Sequence, residues 1–166
     1  MNYILIGMPG SGKSTLGVLL AKYLGFHFLD VDLMIQDQEG RLLREIIAEE
    51  GTDGFVRIEE SVGQSIQVDN TVISTGGSAV LGQKAMDHYR SIGKIIYLKL
   101  DYQTLTRRLS HGLRKRGVVM REGQTLRDIY EERCPLYEKY ADITISKTTG
   151  SMDDTLQHVL EELNCN

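Results

Sequence analysis

A glycine-rich segment near the N-terminus combines a lysine and hydroxyl side chains at a spacing suited to binding phosphate. Residues 7–15 read Gly-Met-Pro-Gly-Ser-Gly-Lys-Ser-Thr and follow the apolar run 3–6. This is the pattern G-x-x-x-x-G-K-[ST] between a predicted strand and a predicted helix, which indicates a loop that binds a nucleotide triphosphate. Lys13 is expected to reach the β and γ phosphates, and Ser14 to offer its hydroxyl to Mg²⁺. The predicted phosphate ligands are Gly10, Ser11, Gly12, Lys13, Ser14 and Thr15.

Two aspartates lie where the second predicted strand ends. Asp30 and Asp32 are separated by one residue, and in a parallel sheet this end faces the phosphate loop. One carboxylate can help to hold Mg²⁺ through water, and the other can accept a proton from a substrate hydroxyl. Asp32 can equally be the N-cap of a helix that starts near Leu33. The residues alone leave both alternatives open.

Three further segments carry groups that can bind a ligand. Residues 75–78, Thr-Gly-Gly-Ser, follow a strand and allow close approach of the backbone to a ligand, or form an ordinary strand-to-helix turn. Residues 109–125 hold several arginines among glycines, which suits either a lid that closes over phosphates or a solvated surface loop. Arg133 can bind an anionic group bidentately, or pair with Glu131 or Glu132.

Alternating strands and helices must position these residues. Apolar runs typical of strands lie at 3–6, 26–29, 71–74, 94–100 and 142–145, and helical periodicities lie between them. Two or three helices are expected between residues 32 and 67. This βαβα order predicts an α/β fold with a parallel sheet covered on both faces, and ligands bound beyond the carboxyl ends of the strands.

Composition limits the class of protein. The chain has 166 residues, a size typical of one α/β domain, and its net charge of −4 argues against a broad nucleic-acid surface. No apolar run approaches the length of a membrane span, and because the chain starts directly with a predicted strand we expect no signal peptide. Cys134 and Cys165 are expected to be reduced thiols. We therefore expect a cytoplasmic, monomeric protein with one domain over residues 1–166.

Together these segments resemble the shikimate kinase family, within the wider nucleoside-monophosphate-kinase-like group, over the length of the chain. The matching segments are residues 7–15, 30–32, 51–60, 74–77 and 107–108, Arg116, and residues 133–137. The resemblance implies a three-layer P-loop kinase fold with five parallel strands in the order 2-3-1-4-5. It also implies a lid at about residues 109–125 and substrate-binding helices at about residues 32–67. The implied substrates are ATP, with Mg²⁺, and a small molecule that carries a hydroxyl group.

Residue roles follow from the same resemblance. Asp32 is implied to lie nearest the acceptor hydroxyl, and Asp30 to assist Ser14 in holding Mg²⁺. Arg116 is implied to be the lid arginine over the phosphates. The implied catalytic residues are Lys13, Asp32 and Arg116. Arg108 and Arg116 are added to the implied nucleotide ligands. The residues implied to bind the acceptor are Asp32, Gly76, Gly77, Ser78 and Arg133, and Arg133 is implied to bind the carboxylate of the acceptor.

The chain departs from the family pattern mainly in the acceptor half. Val56 stands where the family has a second arginine on the substrate carboxylate, and Arg57 is turned about 100° away on a helix. Ser78 replaces a third glycine, and Gly117 replaces the proline of the lid motif. Losing one charge-assisted clamp removes about 1.5–3 kcal/mol, which can change the preferred acceptor.

The sequence therefore predicts an ATP-dependent kinase, with shikimate as the leading acceptor and shikimate 3-phosphate as product. The same reaction on another small polyol or hydroxy acid is one alternative. An ATP-dependent regulatory or binding module is an alternative of another class, because many functions share this fold.

Overall fold

Five parallel strands form the centre of the molecule. The computed structural model describes residues 1–110, 117–147 and 150–165. The strands pair in the order β2-β3-β1-β4-β5, and each pair is parallel. The α/β fold class and the strand order expected from the sequence are therefore confirmed. The strands are β1 (Asn2–Ile6), β2 (His27–Asp30), β3 (Thr71–Ser74), β4 (Gly93–Leu100) and β5 (Ile143–Lys147).

The described residues also form seven α-helices and a short 3₁₀ turn at Ala79–Leu81. Helix α3 is broken at Gly51, which has φ 72° and ψ 175°, a left-handed value that glycine adopts readily. Because of this break, α2 and α3 supply three helical segments, in agreement with the two or three expected. The helices are α1 (Lys13–Leu24), α2 (Val31–Glu39), α3 (Leu43–Ser65), α4 (Gln83–Ile92), α5 (Tyr102–Leu109), α6 (Leu126–Tyr140) and α7 (Met152–Glu162).

Each face of the sheet has its own apolar core, because successive strand residues point to opposite faces. In β1, Ile4 and Ile6 pack into a cluster with residues of α2, α3, α4 and α6. Leu5, between them, packs into a second cluster with residues of α1 and α7. Central strands buried on both sides explain why the strand sequences are almost continuously apolar.

None of the helices in the described part of the chain is both long and apolar enough to cross a membrane.

Candidate active site

The loop between β1 and α1 exposes backbone amides to a ligand. Gly10 and Gly12 have φ values of 78° and 94°, which residues other than glycine adopt only at an energetic cost. Gly12 is the N-cap of α1 and offers no side-chain hydrogen bond to the first turn of the helix. The N–H groups at the positive end of the helix dipole are therefore not capped by a side chain, and this arrangement suits the binding of a phosphate group.

Lys13 is buried inside this loop. Its Nζ donates hydrogen bonds to the carbonyl oxygens of Gly7 and Met8, at 2.8 and 2.9 Å. Burial lowers the pKa of Lys13 to about 8, although the charges of Asp32 and Asp30 oppose this effect. The negative charge of a triphosphate would raise this pKa again, so nucleotide binding and lysine protonation support each other.

Ser14 and Asp30 contact each other beside the loop. Ser14 Oγ donates to Asp30 Oδ2 at 2.9 Å, and Ser74 Oγ, at the end of β3, lies 3.1 Å from Ser14 Oγ. Ser74 belongs to the segment 74–77 named above, but no role is predicted for it. Its signal is a hydroxyl at the carboxyl end of the strand that pairs with β1. No cluster of three His, Cys, Asp or Glu side chains in the described ranges could hold a metal alone. This pair suits Mg²⁺ only together with nucleotide phosphates, its usual ligands in kinases.

The structure decides which aspartate caps helix α2. Asp30 is the N-cap, and its Oδ1 accepts a hydrogen bond from Leu33 N at 3.2 Å. The alternative that Asp32 is the cap is therefore wrong, since α2 starts at Val31 and Asp32 lies in its first turn. Asp32 lines the central cavity, where loss of hydration and the charge of Asp30 raise its pKa to about 6.

Two glycines after β3 allow other groups to approach the backbone closely. A Cβ on Gly76 would lie 2.5 Å from Glu59 Oε2 and 2.7 Å from Asp32 Oδ1. A Cβ on Gly77 would lie 2.6 Å from Pro9 Cδ, in the phosphate loop. The ordinary-turn alternative does not explain these contacts, because any side chain at either position would push apart the groups that form the site.

Arg133 lines the same cavity. The residue is 2% exposed, and its Nη2 donates to the carbonyl oxygen of Val119 at 2.5 Å. Its Nε and Nη1 have no hydrogen-bond partner among the described residues. The ion-pair alternative is wrong here, since Glu131 pairs with Arg127 and Glu132 accepts from Gln124. A buried guanidinium with unused donors indicates an anion-binding position.

A single cavity of about 260 Å³ joins these groups at the carboxyl ends of the strands. Its lining residues are Pro9, Gly10, Gly12, Lys13, Ser14, Thr15, Asp32, Phe55, Thr75, Gly76, Gly77, Ser78, Gly117, Val118, Val119 and Arg133. Most of the predicted site residues are therefore brought together.

Three of the predicted residues that the structure describes do not line the cavity. Ser11 is buried within the loop, and Asp30 accepts a hydrogen bond from Ser14. Arg108 donates from α5 to the carbonyl oxygen of Gly10 at 2.9 Å, so it contacts the loop without lining the cavity. Arg116 is outside the described residues.

Position 56 does not contribute to the cavity lining. Val56 is partly buried against the core cluster that contains Phe55. The neighbouring Arg57 is exposed, and its Nη2 lies 3.8 Å from the Cβ position of Gly54, so it does not replace an arginine at position 56. Among the described residues, Arg133 is the one guanidinium that lines the cavity.

Comparison with known proteins agrees with this arrangement. A family model described as shikimate kinase matches residues 9–164. A shikimate kinase of Symbiobacterium thermophilum is 36% identical, over 98% of this chain and 96% of the relative. A shikimate kinase of Thiobacillus denitrificans is 35% identical, over 91% of this chain and 84% of the relative.

Solved structures give the same result. The chain is similar to a shikimate kinase from Acinetobacter baumannii in complex with shikimate, with a TM-score of 0.87, 31% identity, and coverage of 98% of this chain and 92% of the other. It is also similar to a shikimate kinase from Aquifex aeolicus vf5, with a TM-score of 0.84, 29% identity and coverage of 99% and 96%. Likeness in sequence and fold over nearly the whole length shows that the chain belongs to the shikimate kinase family.

Proposed function

We propose that this chain transfers the γ-phosphate of ATP to a hydroxyl group of shikimate and forms shikimate 3-phosphate. Family membership makes it a phosphotransferase with a hydroxyl acceptor, and the Acinetobacter baumannii relative was solved with shikimate. The observation that carries the proposal is one cavity lined by the phosphate loop, Asp32 and Arg133, whose buried Nε and Nη1 have no hydrogen-bond partner among the described residues.

The phosphate loop supplies the donor half of the site. The uncapped first turn of α1 and the ammonium group of Lys13 would bind the phosphate chain, and Arg108 would support the loop through the Gly10 carbonyl. Ser14 and Asp30 would hold Mg²⁺, directly and through water. Bound there, Mg²⁺ would supply positive charge to the phosphate oxygens.

Asp32 and Arg133 form the acceptor half. Arg133 would bind the acceptor carboxylate through Nε and Nη1, because both are unused and the third nitrogen is fixed by Val119. Asp32, whose pKa of about 6 leaves it mostly ionised at neutral pH, would accept a hydrogen bond from the reacting hydroxyl and orient it. Gly76 and Gly77 would let the acceptor approach the backbone.

Residues 117–119 line the cavity from the segment predicted to be a lid, which would exclude water from the reacting groups. The lid role of residues 109–125, the substrate-binding role of helices at about 32–67, and the transition-state role of Arg116 stay predictions. A single domain and a monomeric state are part of the same proposal, and light scattering on the purified protein tests the latter.

A coupled assay tests the proposed reaction. We expect ADP release that requires Mg²⁺, ATP and shikimate together, and Lys13→Ala should abolish it because the phosphates lose their cation. ³¹P and ¹H NMR of the product should place the phosphate on the 3-hydroxyl.

A panel of sugar acids, small hydroxy acids and hydroxylated amino acids serves as the comparison. No shikimate-dependent ADP release at millimolar shikimate would reject this acceptor. A much higher kcat/KM for another compound would identify that compound as the acceptor. Tight ATP binding with slow turnover on every compound would favour the regulatory module instead.

A further inference from the structure

The carboxyl group of Glu59 is buried next to the cavity and has no part in the function proposed above. Glu59 is 3% exposed, and its Oε1 accepts a hydrogen bond from Ser78 Oγ at 2.6 Å. Its Oε2 has no hydrogen-bond partner among the described residues. A buried polar atom without a partner is costly, so its retention calls for an explanation.

The surroundings of Glu59 favour the neutral acid. Residues three apart on a helix are neighbours, and the residue three positions before Glu59 on α3 is Val56. Val56 carries no positive charge that could favour an ionised Glu59. Burial, and secondarily the charge of Asp32 from α2, raise the pKa of Glu59 to about 8. The opposing groups are the Ser78 hydroxyl, Arg133 of α6 and Lys13 of α1. Tyr89 of α4 and Tyr137 of α6 also lie within reach of the Glu59 charge, and burial keeps both phenols neutral by raising their pKa values.

The carboxyl groups of Glu59 and Asp32 both lie close to Gly76. A Cβ added to Gly76 would touch Glu59 Oε2 at 2.5 Å and Asp32 Oδ1 at 2.7 Å, so both oxygens converge on one point of the backbone. Since Ser78 donates to Oε1, a proton on the carboxyl group belongs on Oε2, the oxygen on the Asp32 side. A neutral acid in this place can stabilise the neighbouring carboxylate, whereas a second carboxylate would repel it.

We propose that Glu59 is a positioning residue for Asp32, and that the hydroxyl of Ser78 orients it. The neutral carboxyl group of Glu59 presents Oε2 toward the Asp32 side of Gly76 and keeps the Asp32 carboxylate directed at the acceptor hydroxyl. The inference rests on the proposed function, since it is the role of Asp32 in binding the acceptor that gives this contact a purpose. It also gives Ser78, a departure from the family pattern, a purpose in this chain.

Kinetics of matched variants test the pair. In Glu59→Gln the amide oxygen can still accept the hydrogen bond from Ser78, and the NH₂ group can still donate on the Asp32 side. The kcat should therefore stay within about threefold of wild type. Ser78→Ala leaves Glu59 unoriented, and kcat should fall about ten- to a hundredfold with the KM for ATP unchanged. Glu60→Gln and Ser91→Ala are controls, because Glu60 accepts from Lys84 N and Ser91 donates to the His88 carbonyl, outside the cavity.

The pH profile separates positioning from simple packing. Wild-type kcat, measured with saturating ATP, should decline above about pH 8 as Glu59 ionises, and the decline should be absent in Glu59→Gln. Lys13 has a pKa of about 8 in the free protein and is the competing cause of such a decline. An alkaline decline that persists in Glu59→Gln would assign it to Lys13 and overturn the inference, as would wild-type kcat in Ser78→Ala.

A measurement without turnover distinguishes this inference from the proposed function. ¹³C NMR of labelled glutamate carboxyls, assigned with Glu59→Gln, should show Glu59 titrating above pH 7. Ser78→Ala should raise that pKa further, because the hydrogen bond from Ser78 favours the ionised form. A Glu59 carboxyl that titrates in the ordinary range would overturn the pair even in an active enzyme. The expected titration in a protein that phosphorylates no acceptor would reject the proposed function alone.

Discussion

Replacing Arg133 by methionine should separate binding from stability. Arg133 is buried, with two nitrogens unpartnered and one bonded to the Val119 carbonyl. Each unpartnered buried donor costs about 1–3 kcal/mol, and the one charge-assisted bond contributes about 1.5–3 kcal/mol. Because the costs of the two free donors match or exceed that gain, Arg133→Met should leave the free energy of unfolding unchanged or higher, as found when buried charges are replaced by apolar groups of similar volume.

The same change should weaken acceptor binding strongly. Two charge-assisted bonds to a carboxylate, at about 1.5–3 kcal/mol each, correspond to at least a hundredfold in affinity. The KM for shikimate should rise by that factor, while the KM for ATP stays near wild type because Lys13 and the α1 amides are untouched. Steady-state kinetics with each substrate varied in turn, together with thermal unfolding, measure both effects.

Arg127→Met is the matched control on the same helix. Arg127 lies at the surface, 3.7 Å from Glu131 and over the Tyr102 ring at 4.3 Å, away from the cavity. Both KM values and the Tm should be nearly unchanged. The opposite result would be a Tm lowered by more than about 4 °C in Arg133→Met, which is roughly 1 kcal/mol or more for a chain of this size, together with an unchanged KM for shikimate. The guanidinium would then have a structural role, and the reasoning would be refuted.

Three further predictions concern the neighbouring residues. Asp32→Asn should lower kcat while ATP affinity, measured by calorimetry, is retained; an unchanged kcat would remove Asp32 from the chemistry. Val56→Arg should lower the shikimate KM by about tenfold if the added guanidinium reaches the carboxylate, and an unchanged KM would mean that the pocket has diverged further. The Tm of wild type should fall as pH rises from 4.5 to about 8, because the pKa of Glu59 is higher in the folded than in the unfolded chain. Protonated Glu59 therefore stabilises the fold below its unfolded-state pKa, and this stabilisation is lost as pH rises to the folded-state pKa. Glu59→Gln should flatten this dependence, and an equal slope in both proteins would contradict the raised pKa of Glu59.

Local sequence patterns were sufficient for the fold and the phosphate loop. The alternation of short apolar strands with helical periodicities defines a parallel α/β sheet, because side-chain burial repeats with the geometry of each element. The loop motif carries its own geometry, since its glycines adopt the φ values that direct amides toward one anion. Both depend on residues close together in the chain.

Capping and pairing choices needed the structure. The spacing of Asp30 and Asp32 permits either to cap α2, and only the position of the first helical residue, Val31, selects Asp30 and frees Asp32 for the cavity. Arg133 has glutamates one and two residues before it, yet neighbours at those spacings do not face each other on a helix. Its observed partner, the Val119 carbonyl, comes from a segment without helical structure.

The amino-acid sequence by itself determined that this chain folds as a nucleotide-binding α/β protein and pointed to its family, because periodicity and loop chemistry are local properties. Only the tertiary structure decided that Ser78 bonds Glu59, that Glu59 and Asp32 converge on Gly76, and that Val56 does not line the cavity. These contacts join residues from separate elements that the sheet brings to one edge. Their burial and the electrostatic effects of their charges on one another exist only once the chain has folded.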